Sequence, residues 1–497
     1  HLGPSPGERR TAASLMLQAE VFELFMGKKF PGFKRYSGEG LEAMYPALHT
    51  ILYEAARPKN GGKGAHAAVI GMPHRGRLAL LASMLEYPLR RMFWKVSGQS
   101  EMPAYLEGVV DDVTSHISVS VEKRYVYHRR DGGGAGPGGH EERSLHVSLL
   151  PNPSHLEMIH PVAMGKARAK LEEDGGRVLC LVMHGDASVA AQGCVSEALS
   201  FSRLPGFDVG GAVHVVANNQ IGFTTTREEG FSGQYCTDVA KSLGAPVLHV
   251  NAGCVDSVLA AARAAAAYWR VFGKDVFLDL VGYRRHGHNE VDEPAFTQPL
   301  VYREVRAREA DLAGGGSCAR EYARRLEEEG LLAPTKTRQW EKLFLQHLEE
   351  ELLESHRLDT DACPPDFLRG RWAGMVHAGG DQVHRRVPTG CPRAALEEAA
   401  RRSVAVPAGM SVHQRLRKSH VEARLGLVGS GKADWATAEA MALGTLLAEG
   451  HNVRLCGEDS ARGTFSQRHA VLHCQESGKR FCPLQRRMMT ASEDPGP

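Results

Sequence analysis

"RVLCLVMHGDAS", residues 177–188, decides the fold. The unbroken apolar run Val178 to Met183 is what a strand buried on both faces presents. It ends in His-Gly-Asp and passes into a glycine-spotted, helix-like stretch. Taken alone, Asp186 reads as the cap of a strand-to-helix turn, where a carboxylate satisfies orphan amides. Outward from it the same alternation recurs. "HAAVIGMP" (66–73), "AVHVVANN" (212–219), "APVLHVNA" (245–252) and "DVFLDLVGY" (275–283) read as buried strands, with helix-like stretches such as "VDSVLAAARAAAAYWRVFG" (255–273) between. Strands at this spacing with intervening helices predict right-handed βαβ units and a parallel sheet with helices on both faces. The fold class is α/β.

A chain of 497 residues is too long for one core and implies more than one domain. Sixty Lys plus Arg against 58 Asp plus Glu leave a net charge of +2, which argues against nucleic acid as a partner. No apolar stretch approaches the length of a bilayer span, which argues against membrane insertion. The ten cysteines form no CxxC pair and read as scattered reduced thiols. The first residue is His1, so a targeting segment is not legible.

Residues 129–143, "RRDGGGAGPGGHEER", read as a surface insertion without apolar content to pack. From 303 to 358 the chain is charged and helical, and 359–410 is rich in Pro, Gly and Arg. A second unit begins near 415 with a helix "DWATAEAMALGTLLAEG" (434–450) and a strand "NVRLCG" (452–457). The last dozen residues show no periodicity and are expected to hang free.

In a parallel sheet, ligands bind outside the carboxyl ends of the strands where strand order reverses. Asp186 closes one strand and Asn218–Asn219 the next, with 32 residues between Asp186 and Asn219, as one βαβ crossover requires. With the backbone carbonyl of Ile221 they offer three hard oxygens. Mg²⁺ takes about six such ligands, commonly completing them from phosphates and water. Gly185 lets a diphosphate approach the chain, and the amides that follow favour its charge. The physical reading is a Mg²⁺–diphosphate site.

Gly-Asp followed after such an interval by Asn-Asn resembles the motif of thiamine-diphosphate enzymes, with Ala187 where a third glycine is usual and Ser188 after it. The flanking blocks "KKFPGFKRYSGEG" (28–40), "GMPHRGRLALL" (71–81), "LPNPSHLE" (150–157), "NNQIGFTT" (218–225), "YRRHGHNEVDEPAFTQPLVY" (283–302) and "GEDSARGTFSQRHAVLH" (457–473) sharpen it. Together they resemble the E1 component of the 2-oxoglutarate dehydrogenase family, and look closest to its 2-oxoadipate branch. The resemblance implies a transketolase-like fold. It divides the chain into an N-terminal helical segment (1–60), a diphosphate-binding domain (61–340), a linker (341–410), a partial pyrimidine-binding domain (411–484) and a divergent tail (485–497). It also implies thiamine diphosphate and Mg²⁺ as cofactors, a homodimer, a mitochondrial location, a lipoyl-bearing E2 acyltransferase and, through the complex, an E3 dihydrolipoamide dehydrogenase. Such enzymes decarboxylate a 2-oxoacid and pass the acyl unit to E2, the cofactor carrying the carbanion chemistry.

By the same resemblance His74 in "MPHRGR" and His116 in "TSHISVS" face the substrate, with Arg75, Ser120 and His155 as substrate-side neighbours. His288 in "GHNE" would line the thiamine side of the cleft. Bland readings stand beside these: a lone histidine after a strand is commonly a structural hydrogen-bonder, Arg75 and Arg77 are compatible either with surface charges or with holding a substrate carboxylate, and Glu290, Asp292 and Glu293 read equally well as helix-start carboxylates. One departure matters. The family's glutamate that activates the aminopyrimidine lies beyond "RGTFSQRHAV" in an "FEYG"-like segment, and residues 474–497 hold nothing similar. The reading is a C-terminally truncated E1 chain, leaving two functions open: a decarboxylase, or an inactive E1-like subunit that binds cofactor or complex partners. A transketolase proper fits less well, because "NPSHLE" and "GHNE…DEP" speak against it.

Overall fold

In a computed structural model the apolar run of 177–188 becomes the fourth strand of a seven-stranded sheet. The structure describes residues 3–58, 64–102, 111–128, 140–311, 317–358, 372–375, 385–485 and 487–489. The strands are β1 (Ala67–Gly71), β2 (Val119–His128), β3 (His140–Leu149), β4 (Val178–Gly185), β5 (Ala212–Asn218), β6 (Val247–Asn251) and β7 (Val276–Val281). Their spatial order is β2-β3-β1-β4-β5-β7-β6. Every neighbouring pair is parallel except β2 with β3.

Side chains alternate across a strand, and here both faces are covered. Ala68, Ile70, Leu179, Leu181, Met183, Val213 and Val215 join a core with helices Pro6–Lys29, Met44–Ala56 and Val255–Phe272. Their neighbours Ala67, Val69, Val178, Cys180 and Val182 pack the other way, against helix Ile159–Asp174. The five expected strands and the two-faced parallel sheet are therefore present. The helices of the first sixty residues are integral to the core: Phe22, Met26, Tyr45 and Leu48 are fully buried in it.

Several expectations are corrected. The antiparallel hairpin β2–β3 flanks the glycine-rich segment, and its second strand begins at His140, inside the stretch read as insertion. Residues 129–139 of that stretch lie outside the described residues. The region 303–358, by contrast, is helical as expected, in helices Pro299–Asp311, Cys318–Glu328 and Pro334–Ser355.

The chain divides into two compact units, the first holding 1–203 and 208–383, the second 204–207 and 384–497. Within the second, helix Arg393–Ser403 lies in the stretch read as linker and packs on helix Trp435–Ala448. The contact is close: a Cβ on Gly444 would stand 2.7 Å from Cβ of Ala399, so glycine is required there. Asp434 caps the second helix, accepting from the Thr437 amide at 2.7 Å. Residues 452–457 are irregular, because a strand needs a ladder partner and among the described residues they find none. The unit's sheet is instead β8 (Leu472–His473), β9 (Arg480–Cys482) and β10 (Arg487–Met489), all antiparallel. β10 falls in the tail expected to hang free; pairing uses main-chain groups and needs no side-chain periodicity.

Candidate active site

Strand order reverses between β1 and β4, since β3 lies on one side of β1 while β4 and β5 lie on the other. The crevice there is bordered by the turn after β1, which carries His74, and the turn after β4, which carries Asp186. Gly185 pairs with Ala217, so Asp186 and Asn218 leave the sheet side by side.

Asp186 is 4% exposed. Burial pushes its carboxyl up to about 6, against the pull of amides at Ala187 and Asn219, and the nearby Asp279 carboxylate adds to the rise. Two carboxylates, both buried, thus share one corner of the sheet edge. Asp279 accepts from Asn218 Nδ2 at 3.0 Å and pairs with His249 Nδ1 at 2.7 Å. Asn219 Oδ1 accepts from the Ile221 amide at 3.2 Å, and a Cβ on Gly222 would lie 3.7 Å from Cβ of Ala187. The two turns therefore touch. Among the described residues no three His, Cys, Asp or Glu side chains converge as a metal cluster. A cation here would be held by one carboxylate with amide and carbonyl oxygens, a donor set that suits Mg²⁺.

On the β1 side, the Tyr36 ring lies 4.0 Å from that of His74 and 5.6 Å from that of His288, centroid to centroid. His74 and His288 meet edge to face at 5.8 Å, and Phe223 packs on His288 at 4.7 Å. The blocks 28–40, 71–81, 218–225 and 283–302 thus converge on one aromatic wall. Burial, reinforced by the Arg75 charge, drives His74 down to about 3 and His288 down to about 4. Both are neutral at physiological pH, suited to neutral hydrogen bonding in a desolvated site.

The arginines are not surface charges. Arg75 donates to the carbonyls of Ser37 at 2.8 Å and His288 at 3.0 Å. Burial pushes its guanidinium down to about 10, still charged at neutral pH. Arg77 is fully buried, and its guanidinium donates to the carbonyls of Ile117 at 2.9 Å, Met72 at 2.8 Å and Leu150. It ties together the loops bearing His74, His116 and His155 and, fully buried, presents no surface to a substrate carboxylate.

His116 Nδ1 is 2.9 Å from Asp112 Oδ1. Ser120 Oγ lies 3.2 Å from Ser148 Oγ across the β2–β3 ladder. His155 is exposed at the start of the short turn Leu156–Met158; no described side-chain contact joins it to the other site residues. Glu290 and Asp292 serve the loop: Glu290 accepts from the Arg35 amide at 2.9 Å, and Asp292 from the His288 amide at 2.7 Å. Glu293 caps the turn Pro294–Phe296.

Sequence reasoning missed Tyr36, Phe223, Asp279 and Arg284, whose guanidinium donates to the carbonyls of Gly222 at 3.0 Å and Phe223 at 3.2 Å. It also missed Glu157, His184 and His214, buried together beneath the Asp186 turn. A histidine inside an apolar strand, as in "AVHVV" and "LVMHG", was the available signal.

Residues 68–361 match the family described as dehydrogenase E1 component, and residues 431–490 match the transketolase pyrimidine-binding domain. The chain is 43% identical over 488 residues to the probable 2-oxoadipate dehydrogenase complex component E1 homolog of Dictyostelium discoideum, covering 97% of this chain and 51% of that one. It is 40% identical over 491 residues to human 2-oxoadipate dehydrogenase complex component E1, covering 96% and 50%. Identity to the 2-oxoglutarate dehydrogenase E1 component of Brucella anthropi is 37% over 494 residues, covering 97% and 46%. The chain spans about half the length of the curated relatives it matches.

Proposed function

The chain belongs to the dehydrogenase E1 component family, and from that premise we propose that it serves thiamine-diphosphate-dependent oxidative decarboxylation of a 2-oxoacid, with acyl transfer to a lipoyl-bearing E2. One observation carries the reading: the turn that begins at Asn219 brings Phe223 onto His288, 4.7 Å between ring centroids, and so joins the Asp186 corner to the wall of His74, His288, Arg75 and Tyr36. When bound, the cofactor supplies the carbanion chemistry that releases CO₂. Asp186, Asn219 and the Ile221 carbonyl would hold Mg²⁺, with Gly185, Ala187 and Ser188 bordering the diphosphate. His74 and His116 would face the 2-oxoacid, with neutral His74 available to donate to or accept from its oxygens without introducing a charge. Arg75 fixes His288 at the wall, and Ser120 and His155 are the remaining substrate-side candidates.

The relatives named for 2-oxoadipate at 43% and 40% identity, against 37% for 2-oxoglutarate, favour 2-oxoadipate. One methylene is worth about 1–3 kcal/mol in a pocket, so a side activity on 2-oxoglutarate is expected. The wider reading includes the E3 partner reached through the complex and a mitochondrial location, both resting on the resemblance. A homodimer has a second support: beyond His288 the segment exposes Val291, Phe296 and Leu300, Phe296 at 87%.

The test is calorimetric titration of Mg²⁺–thiamine diphosphate into the chain, alongside CO₂ release from 2-oxoadipate and 2-oxoglutarate. Asp186→Ala abolishes Mg²⁺-dependent binding if the reading holds; unchanged binding defeats it. Binding without turnover selects the inactive E1-like subunit.

A further inference from the structure

A buried polar string beneath the Asp186 turn has no part in the reaction described above. Glu157 is 1% exposed, and its two carboxylate oxygens go to residues on either side of Asp186. Oε2 pairs with His184 Nδ1 at 2.5 Å, and Oε1 accepts from the Ser188 hydroxyl. The Glu157 amide also donates to Gln192 Oε1 at 3.3 Å, at the far end of the six-residue helix Asp186–Ala191. Beyond His184 the string continues under the sheet. His184 Nε2 is 3.0 Å from His214 Nδ1, and His214 Nε2 is 3.3 Å from Asp275 Oδ1. Asp275 is held in turn by the Ser202 hydroxyl and the Ala212 amide. The ring of His160 packs edge-on against both other imidazoles, at 5.5 and 5.1 Å.

Positions 184 and 214 lie on central strands covered on both faces, where an aliphatic residue would fill the space without desolvating an ionisable group. A carboxyl group buried there is costly unless its oxygens find partners. Glu157 uses both oxygens, and it spends them on the two residues that bracket the candidate metal ligand. The consequence is geometric. Asp186 sits where a strand becomes a short helix, with the Ser188 hydroxyl also 3.0 Å from the Gly185 carbonyl. Mg²⁺ demands near-ideal octahedral geometry, so the turn must arrive in one orientation. Clamping His184 below and Ser188 above removes the freedom of the backbone that carries the carboxylate.

We propose that Glu157 is a positioning residue for the cation–diphosphate site, holding the Asp186 turn through His184 and Ser188; this rests on the reading of Asp186 as a Mg²⁺ ligand. Outer partners of metal ligands typically set 10–100-fold in affinity.

The experiment titrates Mg²⁺ into the full chain at saturating thiamine diphosphate by calorimetry, with the unfolding midpoint of the metal-free protein measured alongside. The parent binds and Asp186→Ala does not, if the underlying reading holds. Glu157→Gln then weakens Mg²⁺ by about 10–100-fold, and excess Mg²⁺ restores binding because the ligand atoms themselves are intact. Ser188→Ala removes one hydroxyl without disturbing the core, and weakens Mg²⁺ in the same direction. Added to Glu157→Gln it has little further effect, since the two changes break one shared contact. A purely structural Glu157 would lower the unfolding midpoint and leave Mg²⁺ affinity alone. Should Glu157→Gln fail to fold, Glu157→Asp, which keeps the carboxylate but is too short to reach both His184 and Ser188, takes its place. Affinities within twofold of the parent in the folded variants overturn the inference while leaving the reading of Asp186 in place. A parent chain that binds no Mg²⁺–thiamine diphosphate overturns both.

Discussion

Arg75 and His288 meet through two contacts: Arg75 Nη2 donates to the His288 carbonyl at 3.0 Å and lies 3.4 Å from its Nδ1. This joins the loop after β1 to the loop after β7, which lie on opposite sides of the β4–β5 pair at the sheet edge. An arginine near Nδ1 favours the tautomer with its proton on Nε2. Arg75→Lys keeps a charge but loses the planar fork that serves Ser37 and His288 together. The expected outcome is at least a tenfold loss in kcat/KM for the 2-oxoacid, with Mg²⁺–thiamine diphosphate affinity within a few-fold of the parent. Steady-state kinetics beside calorimetry check it, and unchanged kcat/KM would remove Arg75 from the wall.

The neutral histidines give the stability a signed pH dependence. Burial lowers His74 to about 3 and His288 to about 4, against 6.5 for an unfolded histidine. Between those values and 6.5 the unfolded chain binds more protons than the folded one, so stability falls as the pH is lowered. Each group contributes a slope of about 1.4 kcal/mol per pH unit within its window, and neither contributes above 6.5. His286 works in the opposite sense. Burial alone would lower it, but its hydrogen bond to Glu39 at 3.0 Å holds it above 6.5. Its contribution is full below 6.5 and is lost as the pH rises through the raised value. Urea midpoints at pH 5 and pH 7.5 test the first effect: His74→Gln should lose less stability than the parent on going to pH 5. An equal loss would mean that His74 is protonated in the fold.

Arg77 carries a stability prediction. Three buried carbonyls, on Met72, Ile117 and Leu150, accept from this one guanidinium. Arg77→Met fills much of the same space but orphans all three, at about 1–3 kcal/mol each. Urea unfolding should register a loss of at least about 3 kcal/mol. A variant as stable as the parent would show that the loops find other partners.

The parts of the fold legible in the sequence were those written as local pattern. β1, β4, β5, β6 and β7 are short apolar runs bounded by turn residues, and helix Trp435–Ala448 announces itself with an aspartate cap. The hairpin β2–β3 was obscured because its strands mix charges with alternating Val and Tyr around a glycine-rich stretch. The alternation in "VSVEKRYVYH" was the usable signal. Asp186 and Asn219 were legible because each closes a recognisable strand. The string from Glu157 through His184 and His214 to Asp275 was not, because it joins residues 27, 30 and 61 positions apart. Only the register of β4 on β5 brings the two rings together. The role of Arg77 is not legible in the sequence, because its three acceptors, on Met72, Ile117 and Leu150, come together only in the fold.

The two substrate-side histidines should respond differently to change around them. His74 is fixed by packing, with Tyr36 on its face and His288 at its edge. Among the described residues His116 is held by one side-chain contact, Nδ1 to the carboxylate of Asp112 at 2.9 Å, and Asp112 itself is exposed. If both histidines touch the reacting 2-oxoacid, replacing either with alanine lowers turnover by about 100-fold or more. Cofactor affinity should change little, since neither belongs to the Asp186 turn. Asp112→Asn separates the cases. It leaves His74 and its wall intact but weakens the contact that orients the His116 ring, so kcat should fall about tenfold with the His74 environment unaltered. Tyr36→Leu does the converse, exposing His74 to water and raising its pKa toward the ordinary value while leaving His116 in place. The readouts are kcat for 2-oxoadipate across pH 5–8 and the imidazole chemical shifts of His74 and His116 over the same range. Turnover within twofold of the parent in both alanine variants would make the two histidines structural.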